Sequence, residues 1–251
     1  VPSNKPSDAY KAVAEQAKEF LPTYMHRWMN RAVCKRTVMT IPYNATKDSS
    51  RKYIREALLE EGIDPTKDEL TQVVNAVYNS MDAIVPGPMQ VMRWIKKHVG
   101  QYIRNGATEV EWVTPSGFVV NQRRDDIETE QMELQLLGRT RVRLPTGKTS
   151  PSPNKHKSST APNYIHSFDA SILHRSFTKF DEPFTVIHDS VLCRAGDMGT
   201  LNALVRETYT NIFSEECWLS KFAETINASE PPPIVGTLDP KVVSNSTYFF
   251  C

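Results

Sequence analysis

Arg31, Lys35, Met39 and Tyr43 recur every four residues in the stretch NRAVCKRTVMTIPYN, residues 30–44. Steps of four on a 3.6-residue helix drift by about 40°, so the four share one stripe about 18 Å long. Arg offers a planar fork for bidentate phosphate contact, and Lys a movable charge and proton donor. Two cations followed by a thioether and a phenol therefore suit a nucleoside triphosphate laid out straight. Arg31 and Lys35 would meet the phosphates, Met39 and Tyr43 the base and sugar. The competing reading is an amphipathic helix whose cations snorkel while Met39 and Tyr43 pack in the core. Pro42 disfavours helical geometry at Ile41, so the helix is predicted to end there with Tyr43 at its mouth.

Two further groups could carry chemistry. His188-Asp189-Ser190 lies between the apolar runs FTVI and VLC, which predicts two short strands meeting in a buried turn. Arg139, Arg141 and Arg143 alternate with Thr140, Val142 and Leu144, so on a strand the three guanidiniums share one face. A two-stranded ribbon fits the DNA major groove, where Arg reads guanine edges; the other reading is an exposed strand kept soluble by charge. The four cysteines are scattered with no CxxC and are expected to be reduced thiols with no zinc site.

The elements that must position these residues are mostly helical at first. Residues 7–20 read as a helix with Ser7 as N-cap and Ala9, Val13 and Ala14 among its apolar positions. Residues 50–61 read as another, stopped by Gly62 and Pro65, and residues 68–84 and 88–104 as two more, separated by VPGP. The period then changes. EVEWVTPSGFVVNQ reads as strand, turn and strand, with Pro115 and Gly117 at turn positions two and four. ETEQMELQLLGRTRVRL reads as a second ribbon around Gly138. The Pro-, Ser- and Lys-rich residues 145–163 read as a flexible loop, followed by helices over about 166–179 and 197–213.

The composition narrows the function classes. With 251 residues the chain can bury a proper core. Thirty Lys+Arg against 29 Asp+Glu leave a net charge of +1, so nucleic-acid binding would rest on local basic patches. No apolar run is long enough to span a membrane, and no signal peptide opens the chain. The first residue is Val1, which leaves processing or a longer polypeptide as readings.

The pattern R-x3-K-R-x-V-M-T-x-x-Y, residues 31–43, closely resembles the motif B helix of the single-subunit RNA polymerases of phages and mitochondria. The resemblance continues in WVTPSGF, APNYIHSFDAS and VIHDS, in the family's order, and reaches the aromatic end STYFFC. Family A DNA polymerases share the Arg-x3-Lys start but place a large aromatic residue where this chain has Met39.

The resemblance implies an α+β, mainly helical fold. Residues 1–165 would form the fingers, with the motif B helix and a promoter-specificity-like ribbon at about 122–146. Residues 166–251 would form the C-terminal part of the palm, with motif C and the tail. Arg31 and Lys35 would bind the incoming triphosphate, Lys35 protonating the pyrophosphate. Met39 would contact the substrate, and Tyr43 would select ribose and close the insertion site. His166 would approach the ribose 2′-hydroxyl, and His188 the primer end. Asp189 would hold both of two Mg²⁺ ions, and Arg36, Arg139, Arg141 and Arg143 would contact nucleic acid.

Asn44 stands where the family usually has glycine, a departure that Asn can bear because it tolerates left-handed backbone. A larger departure is the lack of motif A, whose aspartate the resemblance puts about thirty residues before Val1. The implied function is DNA-templated RNA synthesis from rNTPs, with an N-terminal polymerase half carrying motif A as partner and DNA template and RNA product as ligands. The alternatives are a non-catalytic nucleic-acid-binding subunit and a family A-like DNA polymerase fragment. Compact loops favour the cytoplasm of a phage-infected bacterium over the mitochondrial matrix.

Overall fold

Helical periodicity and well-placed caps build the first part of the molecule. The structure, a computed structural model, describes residues 7–135, 138–188, 190–234 and 236–248. Helix α1 (Ala9–Lys18) is followed by a short 3-10 turn (Thr23–Trp28), α2 (Arg31–Thr40), α3 (Lys47–Glu60) and α4 (Lys67–Ile84). The Asp8 carboxylate accepts from the backbone N–H groups of Tyr10 and Lys11, at 2.9 and 3.1 Å. Asp8, and not Ser7, is therefore the N-cap of α1, and Ala9 faces solvent. A capping box between Thr66 and Glu69 starts α4. Val13, Met25, Val33, Ile54, Leu58 and Val77 interlock these helices into one apolar core.

Helix α5 (Pro86–Arg104) begins with proline in its first turn, where the missing N–H costs nothing. It carries the chain into a second core. There Trp94, Ile95 and Val99 meet Trp112, Tyr164 and Phe222. Trp112 belongs to β1 (Val110–Val113), which pairs antiparallel with β2 (Val119–Gln122). As TPSG predicts, Gly117 closes the turn with φ +83° and donates its N–H to the Thr114 carbonyl at 2.8 Å. Strands β3 (Asp125–Leu134) and β4 (Thr140–Pro151) form a long exposed ribbon with one irregularity between Ile127 and Thr129.

Residues 145–163 are not the flexible loop expected. Pro145–Pro151 complete β4, and Pro153 opens α6 (Pro153–Phe177), which contains Pro162 in its interior. Ser152 caps that helix, accepting from the Lys155 N–H. His156 pins the junction, fully buried, bonding the Ser152 carbonyl at 2.8 Å and the Arg124 N–H at 3.2 Å. A Ser cap followed by Pro is a helix start hidden within a loop-like composition. The predicted start near 166 therefore falls in the middle of α6.

The chain ends with β5 (Phe184–Ile187), β6 (Ser190–Cys193), α7 (Met198–Glu215), α8 (Trp218–Thr225) and a 3-10 turn (Pro240–Asn245). Arg206 of α7 holds that last turn through the carbonyls of Val243 and Ser246, at 2.7 and 2.6 Å. Helix α8 and the 3-10 turns were not anticipated. The fold class is α+β and mainly helical, with three separate two-stranded sheets among the described residues. No helix is long and apolar enough to cross a membrane among the described residues.

Candidate active site

Helix α2 presents the stripe outward. Asn30 caps it, its side chain accepting from the Val33 N–H at 3.1 Å. Val33, Cys34, Thr37 and Val38 are buried, as is Ile41 just beyond the helix. Arg31, Lys35, Arg36, Met39 and Tyr43 occupy the exposed side. Met39 is 45% exposed and Tyr43 53%, which rules out the core-packing reading of both. Burial pushes the Cys34 thiol up to about 12, so it stays protonated and serves as packing.

The helix ends at Thr40 and passes into a hydrogen-bonded turn, with Tyr43 donating to the Thr40 carbonyl and Asn44 to that of Ile41. Asn44 takes φ +66°, so it supplies the left-handed geometry that glycine would otherwise provide. The Tyr43 ring lies against His166 of α6, with centroids 5.1 Å apart and planes within 15°. His188, at the tip of the β5–β6 hairpin with φ +58°, meets His166 edge-on at 5.9 Å. Three residues singled out separately in the sequence thus form one continuous aromatic surface. Asp169, which the sequence reading missed, sits one turn from His166, its carboxylate 3.8 Å from Nδ1. The signal for it was the i,i+3 spacing within HSFD.

The cations differ in their engagement. Arg31 donates to the Asp8 carboxylate at 2.6 Å and lies 5.4 Å from the centre of the Tyr10 ring. The Asp8 carboxyl is held below its ordinary range, first by the Arg31 hydrogen bond and then by the Lys11 N–H. Arg36 turns away toward α3, pairing with Glu56 at 2.9 Å and covering the Tyr53 ring. Lys35 stands exposed with no ion pair among the described residues. On the ribbon, Arg139 pairs with Glu133, whereas Arg141 and Arg143 lie opposite Glu133 and Gln131 in the register.

Asp189 lies outside the described residues, as do the tail residues Phe249, Phe250 and Cys251. The hairpin around Asp189 is not buried as expected: Ile187 is 66% exposed and Leu192 56%. Phe184 stacks on Phe177 of α6 at 3.9 Å, and Val191 and Cys193 of β6 rest half-buried against the second core, while Ile187 and Leu192 remain in the open. Among those residues no group of three or more His, Cys, Asp or Glu could hold a metal ion.

The arrangement combines an exposed cation, a stacked phenol and imidazole, and a second imidazole on a hairpin tip. It can hold an extended anionic ligand with a ring at one end. Comparison with known proteins places the chain in a family. Residues 1–231 match the family model for DNA-dependent RNA polymerase. The human mitochondrial DNA-directed RNA polymerase is 27% identical over 99% of this chain and 23% of its own length. T7 RNA polymerase of Escherichia phage T7 is 27% identical over 95% of the chain and 32% of its own. The DNA-directed RNA polymerase of Pseudomonas phage phiKMV is 26% identical over 89% and 28%. The chain thus spans less than a third of the length of these relatives, and it belongs to the DNA-dependent RNA polymerase family in its single-subunit, phage and mitochondrial branch.

Proposed function

We propose that this chain supplies the nucleotide-binding fingers and the second part of the palm for DNA-templated RNA synthesis, with residues 1–165 and 166–251 as the two portions. The observation that carries the proposal is the contact of Tyr43, His166 and His188 across three distant segments. Arg31 and Lys35 hold the triphosphate, Lys35 giving its proton to the departing pyrophosphate. Arg31 must exchange Asp8 for phosphate to do so. Met39 lies against the base, while Tyr43 and His166 form the wall that meets the ribose. His188 lies beside the primer end. Arg36, Arg139, Arg141 and Arg143 contact nucleic acid, the ribbon arginines at the promoter.

Family membership supports magnesium as the metal, but the described residues do not by themselves make a site for it. In this proposal Asp189 is the ligand from this chain to two Mg²⁺ ions. The second aspartate comes from a motif A segment upstream or on a partner chain. The ions would activate the primer hydroxyl and stabilise the leaving oxygen. Phage-infected cytoplasm remains the proposed setting.

Single-nucleotide addition by this chain joined to the motif A segment tests the proposal. Lys35→Ala should slow every nucleotide, because a phosphate contact is blind to the sugar. Tyr43→Phe keeps the ring but removes the hydroxyl. A hydrogen bond in a desolvated site is worth about 1–3 kcal/mol, so rNTP-over-dNTP preference should fall roughly 5- to 150-fold. Unchanged discrimination would remove Tyr43 from sugar selection.

A further inference from the structure

We propose that α5 and the second turn of α6 carry a second nucleic-acid contact, a stripe of Lys96, Lys157 and Arg104 that grips a phosphodiester backbone apart from the α2 site. Residues 96, 100 and 104 fall on one side of α5 and span about 12 Å. Gly100 sits in the middle of that side. A Cβ built there would collide with Cε of Lys157 and crowd its Cγ and Cδ at 3.1 Å. The Lys157 stem therefore lies across the α5 backbone at Gly100, at a level between Lys96 and Arg104.

The neighbouring cations show what this surface lacks. Arg93 and Lys97 flank the same stripe, and each has a carboxylate, Asp82 and Glu230 respectively. Lys96, Lys157 and Arg104 have no ion pair among the described residues. Lys96 is half-buried, and its ammonium is held below the ordinary lysine range by desolvation and then by the Arg93 charge. A half-buried cation beside like charges is costly unless an anion completes it.

A stripe of about 12 Å is long enough to meet several successive phosphates of one nucleic-acid strand. The row offers the ligand positive charge spaced along its backbone, so the contact is expected to be indifferent to sequence. The proposal rests on the polymerase reading only for the identity of the polyanion.

The test is fluorescence anisotropy of a short labelled oligothymidylate with the full chain, over a salt series. Lys96→Gln and Lys157→Gln should each weaken binding and reduce the slope of log K against log salt by about 0.7. Gly100→Ala keeps every charge but evicts the Lys157 stem, and should weaken binding without matching the loss in Lys157→Gln. Lys67→Gln, on exposed α4, is the control. Thermal unfolding of each variant separates lost contact from lost fold. An unchanged slope in the Lys96→Gln/Lys157→Gln double variant overturns the stripe and leaves the polymerase reading intact, since that reading is tested by primer extension. Absence of oligonucleotide binding by the parent chain at low salt, or stronger binding to phosphatidylserine vesicles, overturns it as well.

Discussion

Helix α2 and the β5–β6 hairpin both hold residues singled out for chemistry, yet they hold them by different means. The helix satisfies its own backbone and buries Val33, Cys34, Val38 and Ile41 beneath the stripe, so its exposed side chains are fixed from below. The hairpin pairs only with itself, and Ile187 and Leu192 stand in the open on its strands. Its anchors are the Phe184–Phe177 stack and the half-buried Val191 and Cys193 against the second core. A helix of ten residues can therefore present a site from one side. A two-stranded sheet needs a second layer before its tip is held as firmly.

The largest effect that would break this comparison is catalytic. Asp189→Asn in the chain joined to its motif A segment should abolish nucleotide addition while folding and DNA binding persist, because Mg²⁺ needs the carboxylate. Elongation near the parent rate would reduce the hairpin to a surface turn.

Next in size is a matched pair of truncations. Ile41→Ala beneath the stripe should cost about 2–5 kcal/mol of unfolding free energy. Ile187→Ala on the hairpin should stay within about 0.5 kcal/mol. Chemical denaturation measures both, and equal losses would mean that the hairpin is packed as firmly as α2.

Smaller still is the cap. Asn30→Ala removes the acceptor of the Val33 N–H and should cost about 1 kcal/mol, with the same denaturation assay as readout. It should also loosen Lys35 more than His188, which backbone amide exchange can resolve.

The smallest effect is a pH dependence at the start of the stripe. Because the folded Asp8 carboxyl is lowered by Arg31, its contribution is present above the ordinary carboxylate value. It is lost as pH falls through the lowered one. The gap in unfolding temperature between the parent and Asp8→Asn should close on acidification through that window. A gap independent of pH would make the pair incidental.

Local signals carried much of the fold. Pro42 with Asn44 marked where α2 turns, but which side of it is buried stayed between two readings until the exposure of Met39 and Tyr43 decided it. The TPSG turn and the strands around Gly138 were legible from alternation and turn chemistry. Residues 145–163 misled because Pro, Ser and Lys have the same composition in a loop as in a strand end joined to a capped helix. What decided between them was His156, whose burial depends on the Arg124 N–H arriving from another segment. The hairpin misled in the opposite sense. An apolar run shows that burial would be favourable but says nothing about whether a covering layer is present.

By itself, then, the sequence determined the family motifs and their order, the class of the fold, and the stripe on α2. These depend on residues within one or two helical turns or on a period along a single strand. Only the tertiary structure decided that Tyr43 lies flat on His166, that Asp8 occupies Arg31, and that Lys157 crosses Gly100. Each of these joins segments far apart in the chain. Such contacts are fixed by how two cores pack around α5 and α6, and no local periodicity encodes that packing.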